Sequence, residues 1–140
     1  MEKTSDGQDM GFGCTIAMPY AAAIETVTAA LKEEGFGVLT EIDVKATMKK
    51  KLDVDFRPYV ILGACNPSLA YRALQIEPEL GLLLPCNVIV YAHDDGKSTV
   101  SIVNPLQMLG VMDNVALREV ANEANAKLHR VAARVEQAAA

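Results

Sequence analysis

Two cysteines in this 140-residue chain stand at the borders of predicted strands, where their sulfurs could come together. Cys65 closes an apolar segment, and Cys86 opens the next one directly after Pro85. If the two strands run antiparallel, the end of the first lies beside the start of the second. Such a thiol pair could cycle through a disulfide or bind a soft metal ion. Alternatively, both cysteines are buried and serve as small apolar side chains, which is a frequent role of this residue type.

The histidines and the third cysteine add little to this pair. A closed zinc site needs two ligands beyond the two thiolates, and His93 is predicted at the far end of its strand. His93 precedes the turn 94–97, Asp-Asp-Gly-Lys, and could act there as a general base or a metal ligand. That turn is more typical of a solvated hairpin tip. Cys14 is predicted to be a core residue and His129 a surface residue.

Two further groups of side chains are candidates for a pocket or an interface. Asn66 and Asn87 stand beside the cysteines, where amides and backbone N–H groups could surround a small anionic ligand. Capping and turn formation are the commoner roles of asparagine. Segments 80–84 and 108–112 carry more apolar surface than short loops need to bury. Their candidate side chains for a pocket wall or a dimer contact are Leu82, Leu83, Met108 and Met112.

The charge balance argues against a nucleic-acid partner. Thirteen basic and 18 acidic residues give a formal net charge of −5, whereas a protein that neutralises phosphates normally carries the opposite balance. The only basic cluster is Lys49-Lys50-Lys51 with Lys45 and Arg57. It is predicted to be a solvated helix face, and a phosphate or an acidic partner is the alternative.

Neither the membrane nor a familiar cofactor is indicated. The longest apolar run, 80–91, is interrupted by Pro85 and Asn87 and is far shorter than the ~20 residues of a spanning helix. The chain contains no Walker loop, GxGxxG, HExxH, CxxC or GxSxG motif, so no cofactor is predicted. A polar, acidic N-terminus and an odd number of widely spaced cysteines favour a cytoplasmic location.

Hydrophobic periodicity predicts a flexible tail over residues 1–10 and one α+β domain over residues 11–137. The predicted order is β-α-β-(α)-β-(α)-β-β-α, with strands over 12–18, 36–44, 59–65, 86–93 and 99–104. The last two strands are joined by the 94–97 turn, so the sheet is mostly antiparallel. We expect about five strands in one sheet, with two long helices packed on one face. The path through 80–84 is ambiguous between a helical turn and a loop.

Three stretches carry a resemblance to a known family, and they are 34–44, 59–67 and 83–91. In combination they resemble the domain of unknown function 302 family over about 10–132. The resemblance implies a small bacterial or archaeal α+β domain that is often a homodimer and has no established activity. Because that family contains exported as well as cytoplasmic members, the resemblance does not decide the location.

These observations lead to two main functional hypotheses. The first is a small soluble, non-catalytic homodimeric module that binds a small molecule or a partner protein. The second is a thiol-based redox or soft-metal protein that uses Cys65 and Cys86. Hydrolytic or transferase chemistry at His93 is a weaker third option, so enzymatic activity stays open. All of them require that the strand borders at 64–66 and 84–87 meet in space.

Overall fold

The computed structural model describes residues 9–140, and residues 1–8 of the predicted tail lie outside the described residues. The strands are β1 Gly11–Ile16, β2 Gly37–Asp43, β3 Tyr59–Cys65, β4 Cys86–Ala92 and β5 Ser98–Val103. The helices are α1 Tyr20–Glu33, α2 Val44–Leu52, α3 Pro67–Ile76, α4 Pro105–Leu109 and α5 Val115–Ala139, with a 3-10 helix at Pro78–Leu83. The α+β class is confirmed. The short helix α4 was not predicted, and the ambiguous segment is the 3-10 helix.

The five strands form one antiparallel sheet in the order β1-β5-β4-β3-β2. The chain reaches β5 through the tight turn at Gly96, whose φ of +83° suits glycine. Strand β1 then pairs with β5, so the first and last strands of the chain are neighbours. This order leaves β2 at one edge of the sheet, far from the N-terminal strand.

The long helix α5 supplies much of the core, and the stripe that hydrophobic periodicity predicts for it, from Leu117 to Val135, is buried in full. The buried residues on this helix are Leu117, Val120, Ala121, Ala124, Leu128, Val131 and Val135. Helix α1 packs against α5 and against β4 and β5. Helical spacing predicts a buried stripe of Tyr20, Ile24, Val27 and Leu31 on α1. This prediction was partly wrong, because Ala23 and Ala30 are buried while Tyr20 and Ile24 are only half-buried. Small side chains let the helix approach its neighbours closely, and a search for large apolar residues does not detect them.

The β2–α2 unit departs most from the prediction. The alternation over 36–44 predicts only a strand, whereas the spacing of Val44, Met48 and Leu52 predicts an inward face on the helix that follows. No residue of either element is buried, and Leu52 is 66% exposed. The alternating pattern was read correctly as a strand, but alternation alone does not show whether a helix covers that strand. A register shift between Val38 and Thr40 further interrupts the pattern.

Among residues 9–140, no helix is both long and apolar enough to cross a lipid bilayer. Asp9 and Met10, the last two residues of the predicted tail, accept hydrogen bonds through their backbone carbonyls from buried Asn104. The Asn104 side chain also accepts from the amide of Leu106 at 3.0 Å, which caps α4.

A largely buried carboxylate connects the end of α1 to α5. Glu34 is 9% exposed, and its two oxygens accept from Arg130 at 2.9 Å and Arg134 at 3.5 Å. Burial alone raises the pKa of Glu34, but the two guanidinium groups outweigh this effect and hold that pKa below its usual value. The ionised form is therefore stabilised by folding.

We expect Glu34→Gln to lower the free energy of unfolding by about 1–2 kcal/mol at neutral pH, because both arginines lose a charged partner. The ion pairs stabilise the fold at pH values above 4.5, the ordinary value for this group, and this contribution is lost as pH falls through the lower folded-state pKa. Urea unfolding at several pH values measures the effect. The difference between wild type and variant should shrink in acid.

Glu33→Gln is the matched control, since Glu33 is exposed on the preceding position. It should leave the unfolding midpoint nearly unchanged at every pH. Equal destabilisation by both substitutions would show that the Glu34 ion pairs contribute nothing specific.

Candidate functional site

The antiparallel pairing of β3 with β4 brings the two predicted strand borders together. Ala64 lies opposite Cys86, and Gly63 lies opposite Asn87. Cys65 is the next residue along β3, so both cysteines stand at the same end of the two strands. The spatial condition on which the functional hypotheses depend is therefore met.

An apolar cavity of about 310 Å³ opens at this end of the sheet. Its walls come from the ends of β2, β3 and β4, from α3 and the 3-10 helix, and from α4 and α5. The lining residues are Phe36, Leu39, Thr40, Ala64, Cys65, Asn66, Leu69, Ala70, Ala73, Leu74, Leu80, Gly81, Leu84, Pro85, Cys86, Pro105, Met108, Leu109, Val120 and Ala124. None of them carries a charge, so the cavity suits uncharged, apolar groups.

Small side chains on facing elements account for this space. Ala70 and Ala73 lie on α3, Ala124 on α5 and Ala64 on β3, and all four line the cavity. A larger residue at these positions would extend into the opening. The size of the cavity therefore depends on the size of these side chains. The core around it is closely packed, since Leu80 and Val120 are both buried.

The cavity reaches solvent beside β2 and α3. Leu39 and Leu74 line it and yet are 67% and 38% exposed, so they mark its mouth. Strand β2 is held over β3 here by a close approach: a Cβ added at Gly63 would lie 2.2 Å from Oγ1 of Thr40 and 2.9 Å from Cγ of Pro85. Glycine at position 63 is what allows the mouth residues of β2 and the β4 entry to converge.

Both cysteines of the predicted pair line this cavity as free thiols. Burial raises the pKa of Cys86, and the nearby Cys65 thiolate raises it further, to about 11. Burial also raises the pKa of Cys65. Because the thiolate is the nucleophile and the metal ligand, the neutral thiols are poorly suited to either chemistry at pH 7. The third cysteine, Cys14, is buried in the core as predicted.

Across residues 9–140, no group of three or more histidine, cysteine or acidic side chains could hold a metal ion. Asn66 lines the cavity, but its Oδ1 accepts from the amide of Leu69 at 3.2 Å and its Nδ2 donates to the carbonyl of Glu34 at 3.4 Å. Capping of α3 therefore occupies the amide that was proposed as an anion ligand.

Of the remaining residues predicted for a pocket or an interface, only one lines the cavity. Met108 lies in the wall of the cavity, whereas Leu82, Leu83, Met112 and Asn87 are outside its lining. Leu83 and Met112 pack against the core, and Leu82 is 82% exposed.

The α3 wall was missed by sequence reasoning. Its signal was available, since Leu69 and Ala73 recur at helical spacing, but the short helix predicted to follow Asn66-Pro67 was not assigned to a pocket wall. The alanines that create the space give no signal of their own, because alanine is common on every kind of helix face.

His93 lies in a second, more polar cleft of about 520 Å³ with Lys97 and Glu136. Its Nε2 is 2.6 Å from Oγ1 of Thr99, which is 2.8 Å from Oγ1 of Thr15. The His93 ring is therefore held by hydrogen bonds that lead through Thr99 of β5 to Thr15 of β1. Because Thr99 is almost fully buried, it fixes the position of the ring.

The prediction that His129 is a surface residue was wrong. Its ring stacks on the buried Phe12 ring with centroids 4.0 Å apart and 4° between the planes. The residue is therefore half-buried in a packed contact between α5 and β1 and does not stand free on the helix surface.

Comparisons with known proteins assign the family. The family model described as domain of unknown function DUF302 matches residues 12–135. A crystal structure of an uncharacterized conserved protein DUF302 from Bacillus stearothermophilus is 31% identical, with a TM-score of 0.82. The similarity covers 90% of this chain and 98% of that one. No curated protein matches the chain.

The raised thiol pKa values predict slow chemistry at the cavity. We expect the native protein to react with iodoacetamide much more slowly than a free thiol at pH 7, and the rate at Cys86 should still increase between pH 9 and its pKa of about 11. Labelling at a series of pH values, followed by peptide mass spectrometry, measures each site. Cys65→Ser and Cys86→Ser are the controls that assign the two rates. Rapid labelling of either thiol at pH 7 would contradict this interpretation.

Proposed function

We propose that this chain, which belongs to the DUF302 family, is a non-catalytic module that binds a small neutral apolar molecule in the cavity beside Cys65 and Cys86. The cavity is the observation that carries the proposal. It is a half-open space of about 310 Å³ whose lining contains no charged side chain. Pockets of a few hundred cubic ångströms with mostly apolar walls are typical of small-molecule sites.

The chemistry of the walls selects against charged ligands. A carboxylate drawn into the cavity would lose its hydration and find no cation there, and this desolvation is costly. The side chain of Asn66 is occupied by capping, and Thr40 stands at the exposed rim. A neutral aliphatic or aromatic molecule therefore fits better than a fatty acid of the same length. Met108 suits such a ligand, because its flexible thioether adapts to different shapes.

The thiol-based alternative has one supporting observation, which is that Cys65 and Cys86 share the wall of one cavity. Burial opposes it, since the pKa of each thiol is raised and the thiolate is scarce at neutral pH. We therefore assign the thiols a role as soft, apolar wall groups. The slow labelling expected above distinguishes the two functions.

A homodimeric state and a cytoplasmic location remain predictions. The family resemblance motivates the first and the cysteine usage motivates the second. Both are compatible with a ligand-binding module, and neither is needed for the cavity to bind its ligand.

Binding of a neutral fluorescent probe tests the proposed function. We expect N-phenyl-1-naphthylamine to bind with increased fluorescence, and 1-decanol to displace it at least about tenfold more effectively than decanoate, because the carboxylate must be desolvated. Bound probe should also protect Cys65 from labelling. Equal displacement by the alcohol and the carboxylate would contradict the selectivity.

Gly81→Phe locates the site. A Cβ at Gly81 meets no atom within 4 Å, so the new ring can enter the cavity without disturbing the backbone. We expect it to weaken probe binding by about tenfold or more through occlusion of apolar area. Leu82→Phe is the matched control, since Leu82 is the next residue of the same 3-10 helix and is 82% exposed outside the cavity. Unchanged probe binding by Gly81→Phe would show that the probe binds outside this cavity and would refute the proposal.

A further inference from the structure

The cleft at His93 has walls unlike those of the apolar cavity. It measures about 520 Å³ and lies at the other end of β4, between the end of β1, the β4–β5 turn and the C-terminal end of α5. The two spaces share no lining residue. Thr15, His93, Asp95, Lys97 and Glu136 give the cleft hydroxyl, imidazole, carboxylate and ammonium groups. A ligand of this cleft must therefore match polar groups of several kinds.

A hydrogen-bonded chain of three side chains crosses the sheet at this cleft. Nε2 of His93 lies 2.6 Å from Oγ1 of Thr99, which lies 2.8 Å from Oγ1 of Thr15. Thr99 is 7% exposed, whereas the two residues at the ends of the chain line the cleft. Thr15 and Thr99 are cross-strand partners in β1 and β5, so the pairing of these strands fixes their positions. The chain is thus built into the sheet, and its two ends are the parts that a ligand can reach.

The two ends of this chain have opposite hydrogen-bonding character whenever His93 is neutral. If Thr99 donates to Nε2, Thr15 donates to Thr99, so Nδ1–H remains as a donor and the Thr15 oxygen as an acceptor. If Nε2–H donates to Thr99 instead, Nδ1 remains as an acceptor and the Thr15 hydroxyl as a donor. Hydroxyl groups match both ends in either case, because a hydroxyl donates and accepts. A carboxylate only accepts and an ammonium group only donates, so neither matches both ends.

The charged side chains of the cleft also select a neutral ligand. Lys97 carries a positive charge, whereas Asp95 and Glu136 carry negative charges. An anionic ligand would share the cleft with two carboxylates, and a cationic ligand would share it with an ammonium group. For the hydroxyl groups of a neutral ligand, the same side chains are strong partners, because hydrogen bonds to ionised groups are stronger than those between neutral groups.

Two tyrosine rings lie beside the cleft on the same face of the sheet. The ring centroids of Tyr91 and His93 are 5.4 Å apart, and those of Tyr91 and Tyr59 are also 5.4 Å apart, with 9° between the planes of the two tyrosines. Cross-strand pairing sets Tyr59, Tyr91, Thr99 and Thr15 in one row on the face away from the buried core. Both tyrosines are half-buried, so part of each ring meets solvent. The negative face of an aromatic ring attracts weakly positive C–H bonds, which line the faces of a sugar ring.

We propose that the cleft at His93, together with the Tyr91 ring beside it, is a second binding site and that its ligand is a neutral carbohydrate. Hydroxyl groups of the sugar bind the two ends of the His93–Thr99–Thr15 chain and the charged groups of the cleft, and a C–H face of the sugar packs on Tyr91. Adjacent hydroxyl groups, no net charge and an apolar ring face together distinguish a sugar from an amino acid or a nucleotide. Because this site is separate from the apolar cavity, either proposal can fail without the other.

Sugars that differ only in charge test the ligand class. Glucose is compared with glucuronate and glucosamine, and galactose with galacturonate and galactosamine, in NMR titrations of the full chain. We expect at least one neutral sugar to shift the amide signals of Thr15, His93 and Lys97 and to bind at least about tenfold more tightly than its charged analogues, because a like charge opposes each of those. If neither neutral sugar shifts these signals at tens of millimolar, or if a charged analogue binds equally well, the proposal is overturned.

Removal of one end of the chain locates the site. Thr15→Val keeps the shape of the side chain and deletes its hydroxyl, so we expect the sugar to bind about tenfold more weakly. Ser101→Ala is the matched control, since Ser101 lies in the next row on the same face of β5 and does not line the cleft. It should bind the sugar as wild type does.

Urea unfolding of both variants checks that the fold is retained. Sugar binding that survives Thr15→Val, or that Ser101→Ala weakens to the same extent, would contradict the assignment of the site. Binding of N-phenyl-1-naphthylamine should be unchanged by Thr15→Val, because the apolar cavity lies at the other end of β4. The comparison of sugars on the wild-type protein decides the proposal even where a variant does not fold.

Discussion

The antiparallel register between β3 and β4 is the constraint on which the candidate site depends. It sets Ala64 opposite Cys86 and therefore brings two residues that are 22 positions apart in the chain to one edge of the sheet. A shift by one residue would exchange the faces of these strands, so that Cys86 would leave the core side. The apolar alternation of Val60, Leu62 and Ala64, all buried, fixes the register, since any slip would expose them to water.

Elements that cover the core were predictable from sequence, because burial imposes a pattern on the residues that experience it. The stripe of α5 was predicted residue by residue, and the β4–β5 hairpin followed from Asp95-Gly96. The same rule explains the failure at β2 and α2. Their patterns of apolar residues resemble those of covered elements, yet Ile42 and Leu52 face solvent in the single chain. The pattern therefore predicts the type of an element, and burial needs a second element that packs on it.

The candidate site was only partly predictable. Cysteines and asparagines at strand borders located the correct edge of the sheet, because strand ends have recognisable punctuation such as Asn66-Pro67. The cavity itself arises because the side chains between α3, α5 and β3 are small. Alanines such as Ala70 and Ala124 give no positive signal in a sequence. The chemical interpretation changed accordingly. Burial, which the sequence alone did not quantify, turned the thiol pair from a reactive candidate into part of an apolar wall.

Strand β2 belongs both to the wall of the cavity and to the free edge of the sheet, and this has a thermodynamic consequence. Leu39 contributes both to the mouth of the cavity and to the exposed edge of the sheet. If a surface that covers this edge closes the mouth and strengthens ligand binding, the bound ligand must strengthen that contact by the same factor, because coupling free energies are reciprocal. A tenfold effect in one direction is then a tenfold effect in the other.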